Sequence, residues 1–527
     1  MISRQIENLL NAYYDDAEPC RYAEESTISV NEVVAKAVLA YEKIRNIVDY
    51  RDEHLLRKSA INRIVKRRFA DVLRGAQIGE HLIKELIRAG YVANRSLPET
   101  KSVEVSAALN KTANLYLGIK DSFAFNEQQK FKNWLLGLVS VEIEELLAPS
   151  AFKQALVSAA FSLAKAKTEI LDEAMSADEK DLQLYVGVLR SLFKSDNDMI
   201  SYSLFKLFYP QWYADPDEVF DQIRVEISDI KKLIDYHINH RLRRKVEHCV
   251  KPYGVYLYTI KDLIEQNPPS APAILENPEV AAEYLKAIIA QKKKLIKSRL
   301  NKSIFRSMIY IFLTKMLLAL AIEVPFELFV IKEINHLPLL INLFAPIILL
   351  FIIGKTIVVS TAKNADKILT DTYSIIYGQL PDLNRVVIKP PRNWGAVKQV
   401  FFGLFYSGTY IITFGALFWA LKDLKFNVVG GALFIVFLSI VSFFGYRLRQ
   451  GAKEIYIVKE RQGFFATLIE FFFMPIIKVG QWISTKFSKI NIFIFILDFI
   501  IAAPFNVIIE VIDDWFAFFK EKKEEIY

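Results

Sequence analysis

At 527 residues the chain has room for two or three domains, and its 53% hydrophobic content beside 24% charged residues reads as the average of two unlike halves. Residues 1–300 carry 43 Lys and Arg against 42 Asp and Glu, whereas residues 301–527 carry 24 against 17, so all but one of the net +8 charges sit in the second half. Two cysteines, Cys20 and Cys249, exclude a disulfide framework, and a basic excess beside apolar runs fits an anionic membrane surface without calling for nucleic acid.

The first seventeen residues carry Arg4, Glu7, Asp15 and Asp16 in a short amphipathic pattern that lacks the apolar core of a secretory signal, so the first half is expected in the cytosol. From Val30 to Val48 apolar residues recur at helical spacing opposite Glu32, Lys36, Glu42 and Arg45, with Ser29 and Glu32 as a capping pair. The same periodicity predicts helices over 55–73, 79–89, 103–117, 127–147, 151–175, 180–193 and 217–249, and no run of alternating strand character. Breaks fall at Gly90, Pro98, Pro149, Pro210 and Pro216, and the cluster at 267–272 is the clearest linker. The expected division is therefore an all-helical cytoplasmic domain at 1–266, then a Pro-rich linker and basic pre-membrane helix at 267–302.

Two patterns in this half invite a function and are set aside. Residues 78–92 loosely match a helix-turn-helix, with Arg63, Lys66, Arg67 and Arg68 upstream, but an ordinary helix with a Gly stop accounts for them. His237 and His240, with His248 and Cys249, share helix spacing suited to zinc, but Arg241, Arg243, Arg244 and Lys245 oppose a cation, so no metal is assigned.

Four apolar stretches, 308–331, 337–359, 400–421 and 428–446, are long enough to cross a hydrocarbon core of about 30 Å. Short connections make each pair an antiparallel hairpin, and the membrane domain is placed at 303–462. The Lys and Arg distribution puts both termini and the soluble domain in the cytoplasm of a plasma or inner membrane. Two further stretches, 464–477 and 490–512, contain Glu470 and Asp498. They are expected to lie as interfacial or re-entrant helices within 463–527, the alternative being a third hairpin and six spans.

Residues 323–334 loosely repeat at 502–513, and Glu470 and Asp498 precede Pro475 and Pro504 as Glu323 precedes Pro325. Lys315, Ala319, Glu323 and Glu327 are spaced by four and form one stripe, with Lys315 and Glu323 about 12 Å apart along the axis, so their partners should come from other helices. The more economical reading places Glu323, Glu327 and Lys332 at an interface, their charged ends reaching water. The candidate membrane-embedded functional charges are thus Lys315, Glu323, Glu327 and Asp498. Gly403, Gly408, Gly415, Gly430 and Gly431 are expected at close helix contacts.

No nucleotide-binding, nucleophile-elbow, kinase or zinc pattern is present, so an enzyme is the least supported class and no cofactor is implied. The expected function is a non-catalytic, membrane-anchored helical scaffold or adaptor. Its partners would be the bilayer and a protein bound by the cytoplasmic domain. The alternative is a channel or transporter for an ion or small solute, acting as a homo-oligomer, and lipid remodelling by the C-terminal amphipathic segments is a third reading.

Overall fold

The computed structural model describes residues 2–489, except 18–25, 50–54, 123, 333–334, 379–384, 391–394 and 459–462, together with a few positions after 489. It is built almost wholly of helices and divides into two compact units.

The first, helical unit holds Gln5–Val250 and Val386–Lys389. Its helices are α1 (Arg4–Ala17), α2 (Glu32–Asp49), α3 (Leu56–Val72), α4 (Gly79–Arg88), α5 (Thr100–Ile119), α6 (Phe125–Leu147), α7 (Ala151–Lys167), α8 (Ala177–Phe193), α9 (Asn197–Phe208), α10 (Gln211–Ala214), α11 (Pro216–Ile238) and the start of α12 (Arg243–Gln266). Apolar side chains surround α6, so it serves two cores at once. Leu136, Val139 and Ile143 join Ile61, Leu82, Leu86 and Leu109, while Trp134, Leu135 and Leu138 join Phe205, Ile227 and Ile234.

Helix starts follow local chemistry. Ser176 and Glu179 form a reciprocal capping box on α8. At α7, the Asp16 carboxylate accepts from the backbone N–H groups of Ala151 (2.8 Å) and Phe152 (3.0 Å), while Ser150 caps Lys153.

Two expectations for this unit are corrected. The helix expected over 151–175 ends at Lys167, and Thr168–Ile170 forms a short strand, β1, parallel to β2 (Val386–Ile388), with Thr168 opposite Val386. β-Branched residues favour that pairing, but the partner lies too far along the chain to leave a local signal. The helix expected over 217–249 is broken between Ile238 and Arg243, where the His240 ring nitrogen Nδ1 accepts from the Leu242 N–H at 3.3 Å and turns the chain.

The second, membrane unit holds Lys251–Arg385 and Pro390–Ile490. After α13 (Ala271–Glu276), Asn277 caps and Pro278 opens α14 (Pro278–Ile331), the basic pre-membrane helix and first span in one piece. Then come α15 (His336–Thr356), α16 (Ala362–Ile376), α17 (Ala396–Asp423), α18 (Val428–Ala452) and α19 (Phe464–Lys489). Helices α14, α15, α17 and α18 are long and apolar enough to cross a membrane. Asn364 ties the chain beyond α18 to α16: its Oδ1 accepts from the Ile457 (2.8 Å) and Val458 (3.2 Å) N–H groups, and its amide donates to the Ile455 carbonyl at 2.9 Å.

Of the glycines expected at close helix contacts, Gly430 meets Glu323 of α14, and the other tight contacts are made by glycines not singled out. Gly403, Gly408 and Gly415 of α17 have open space before them. A side chain on Gly354 would meet Ile304, and one on Gly445 would meet Ile353, both at 2.7 Å, so these two glycines seat α14 on α15 and α15 on α18. Gly480 of α19 presses on the Ser439 carbonyl of α18 so closely that no Cβ fits.

Candidate functional site

The site is built on the first span around Pro325. A proline lacks the N–H that would close the turn, and its ring collides with the carbonyl four residues back. In α14 the helix relaxes by widening into π-turns on either side, Ala319–Glu323 and Glu327–Ile331. A left-handed Lys332 (φ 61°) then ends the helix, and Lys332 itself is exposed.

This geometry corrects the interfacial reading of the two glutamates. Glu323 and Glu327 are each 1% exposed, as is Lys315, and Ala319 between them is buried too. A buried carboxylate needs donors, and neighbouring elements supply them. Asn342, in the second turn of apolar α15 and also 1% exposed, donates its side-chain amide to both oxygens of Glu323, at 2.7 and 2.8 Å, and reaches the Gly430 carbonyl at 3.3 Å. Asn427 donates to Glu327 Oε1 at 2.7 Å, and the Asn335 backbone N–H to Oε2 at 3.3 Å.

Asn427 has a second task. Its Oδ1 accepts from the Gly430 N–H at 2.7 Å, capping the start of α18. Glu323 lies against that first turn, where the N–H ends of the helix carry partial positive charge and favour an anion. The approach depends on Gly430, since a Cβ there would stand 2.6 Å from Glu323 Oε1. Asn335 before α15 and Asn427 before α18 are thereby drawn to the same end of the unit.

Lys315 lies deeper. Its ammonium sits 4.3 Å from the centre of the Phe437 ring of α18, a cation–π contact, and Nζ makes no hydrogen bond. From the hairpin end inward the order is therefore Glu327 with Asn427 and Asn335, Glu323 with Asn342, then Lys315 with Phe437. Asp498, the fourth candidate charge, falls outside the described residues.

Asn342, Asn427, Gly430 as a carboxylate cradle, and Phe437 were not singled out as functional residues in the sequence. Asn342 carried a usable signal, a lone amide in the apolar stretch Leu339-Leu340-Ile341-Asn342-Leu343-Phe344. Asn427 carried another, a capping residue directly before Val428.

The patterns set aside in the helical unit find local partners. Arg63 pairs with Glu42 at 2.9 Å, Arg67 with Glu85, and Arg68 lies beside the His81 ring. His237 meets the Gln183 side-chain amide at 3.2 Å through Nδ1, and burial pushes the imidazoles of both His237 and His240 below their ordinary range. Among the described residues no three His, Cys, Asp or Glu side chains gather as a metal site would require. Compared with family models, with curated proteins and with solved structures, the chain matches none.

Proposed function

We propose that this is a multi-pass membrane protein whose membrane unit passes protons, alone or with a small solute, by way of Glu323. The observation carrying this reading is a carboxylate at 1% exposure inside a helix of membrane-crossing length, held by amide donors and a helix N-terminus rather than by a cation. Such a group can exchange a proton while its surroundings stay in place, and ionisable residues in apolar spans are costly unless they are used. In this reading the connections between paired spans face outward and the helical unit faces the cytoplasm, an orientation supported by the excess of Lys and Arg on that side.

Helix α19 is read as a further crossing. Glu470 lies 3.7 Å from Arg449, and ten residues on, Gly480 meets Ser439, ten residues back along α18. The two helices thus run antiparallel for at least about 15 Å. That geometry supports a crossing over an interfacial position for α19.

Purified protein in vesicles with a trapped pH-sensitive dye, driven by a potassium potential, tests the main reading. Wild type should acidify the lumen faster than protein-free vesicles, and Glu323→Gln should fall to their level. Equal rates for wild type, Glu323→Gln and empty vesicles would remove the proposal.

An adaptor role for the helical unit is the second reading, supported by exposed Leu117 and Val225 on either side of the contact between Gly118 and Arg224. Crosslinking in native membranes should then capture one reproducible protein through 1–250. Crosslinks confined to copies of this chain would count against it.

A further inference from the structure

Among the described residues, four buried side-chain polar atoms in the four apolar spans lack a hydrogen-bond partner: Lys315 Nζ, Asn342 Oδ1, Ser439 Oγ and Ser442 Oγ. Ser439 belongs to the face of α18 that meets Gly480 of α19. Ser442 follows it by three residues on α18, and Lys315 and Asn342 belong with Glu323, Asn342 as its donor and Lys315 two turns before it on α14. Asn342 turns its NH2 onto the carboxylate and leaves its carbonyl oxygen without a donor, while Lys315 has three donor positions and no acceptor. A buried donor on Lys315 and a buried acceptor on the amide that holds Glu323 are both left open, and a small molecule with both capacities, water, can satisfy them.

We propose that Lys315 is the inner proton station of the membrane unit, exchanging a proton with Glu323 through water held between Lys315 Nζ and Asn342 Oδ1. This rests on the proton-transfer reading given above and names the second group in it. In the inward step the O–H bond of a protonated Glu323 breaks and an N–H bond forms on the neutral Lys315 amine, leaving carboxylate and ammonium. The outward step reverses it. Each charged form has a place prepared for it: the carboxylate between Asn342 and the start of α18, the ammonium on the face of Phe437.

The charged and titratable groups around Lys315 are few. Its own helix brings Glu323 and Glu327. Helix α15 has only His336 and Lys355, at its two ends, and α18 has Tyr446, Arg447 and Arg449 in its last two turns. Helix α16, which also packs on α14, carries Lys363, Asp366, Lys367 and Asp371, the last bonded to Tyr256. No other carboxylate or amine belongs to the middle of these spans, so the exchange partner of Lys315 is Glu323.

Arginine keeps the positive charge but does not give up its proton, which separates a relay from a fixed counter-ion. In the vesicle assay, Lys315→Arg and Lys315→Met should both lower proton flux tenfold or more, with each variant monodisperse in detergent. If Lys315→Arg keeps half of the wild-type flux or more, the relay is overturned while the Glu323 reading stands. If wild type shows no flux, the Glu323 reading itself has failed. Should Lys315→Arg not fold, nitrogen NMR of wild type labelled at lysine Nζ decides. A signal missing from Lys315→Met should change from ammonium to amine across the pH range in which flux rises. An ammonium signal throughout that range would overturn the proposal.

Discussion

Replacing Asn342 by leucine keeps the branching of the side chain, with two methyl groups in place of the amide oxygen and nitrogen, and removes the side-chain hydrogen-bond donor to Glu323. Hydrogen bonds to a charged group contribute about 1.5–3 kcal/mol each, and the two contacts here come from one nitrogen, so they count as little more than one. The carboxylate left behind is 1% exposed and cannot turn to water, which adds desolvation, while the new leucine recovers some apolar burial. A net destabilisation of about 2–4 kcal/mol follows, the upper end approaching the cost of breaking a buried ion pair. Unfolding of the purified protein in mixed micelles of rising dodecyl sulfate fraction measures it. Adding Glu323→Met to Asn342→Leu removes the stranded charge, so the double variant should be more stable than Asn342→Leu alone by about 1 kcal/mol or more. Costs that simply add, or a single-variant change below about 0.5 kcal/mol, would refute the picture of a carboxylate dependent on Asn342.

Other consequences follow from different parts of the molecule. Gly480→Ala has no room beside the Ser439 carbonyl and should cost about 2 kcal/mol or more by the same unfolding measurement, whereas Gly408→Ala, facing open space, should change stability by less than about 0.5 kcal/mol. Lys58 is 2% exposed and pairs with Asp196 and Asp198, whose side chains are 30% and 35% exposed. Lys58→Met should therefore lower the stability of the helical unit by about 2 kcal/mol in a urea titration of the full chain, less than for a fully buried pair because the carboxylates reach solvent. A cysteine at Lys486 should react with an impermeant maleimide from outside cells if α19 crosses the bilayer, and should be reached only after permeabilisation if it lies on the cytoplasmic face.

The pH dependence of the helical unit has a definite sign. Burial lowers the folded imidazole values of His237 and His240, with Arg241 adding to the effect at His240, so the unfolded chain binds more protons below about 6.5. Their contribution to stability is full above that value and falls as pH drops toward the folded values. The protection factors of peptides from 216–238 in hydrogen exchange, taken relative to the intrinsic rate at each pH, should fall between pH 7 and 5.5, and His237→Gln should reduce the fall.

Much of the fold was open to a reading of periodicity, because long amphipathic helices and apolar spans write their period directly into the sequence. The four apolar helices and the Asn277-Pro278 start of α14 follow from residues next to one another. What stayed hidden depends on distant partners. Thr168–Ile170 pairs with Val386–Ile388, and nothing near Thr168 announces it. Gly354, Gly445 and Gly480 look no different from Gly403 or Gly415 in sequence, and only the neighbouring helix decides which glycine is pressed.

The site divides in the same way. The four-residue spacing of Lys315, Glu323 and Glu327 put them on one stripe, and their 12 Å separation correctly sent the search for partners to other helices. Burial was not foreseen: Glu323 lies near the hairpin end, as a count of residues from Ile331 gives, but Asn342 and the capped start of α18 close over it and keep it from water. The widening at Pro325 was not foreseen either. A proline in a helix announces a disturbance, but whether it appears as a kink or a π-turn depends on what the packing rewards.

The central claim is that Glu323 gains and loses a proton while buried in the membrane unit. Infrared difference spectroscopy of the protein in lipid, stepped in pH, tests it most directly. The account predicts a protonated-carboxyl band that grows as pH falls, shifts on isotopic labelling of glutamate and disappears in Glu323→Gln. A spectrum in which no carboxyl band distinguishes wild type from Glu323→Gln at any pH would contradict it.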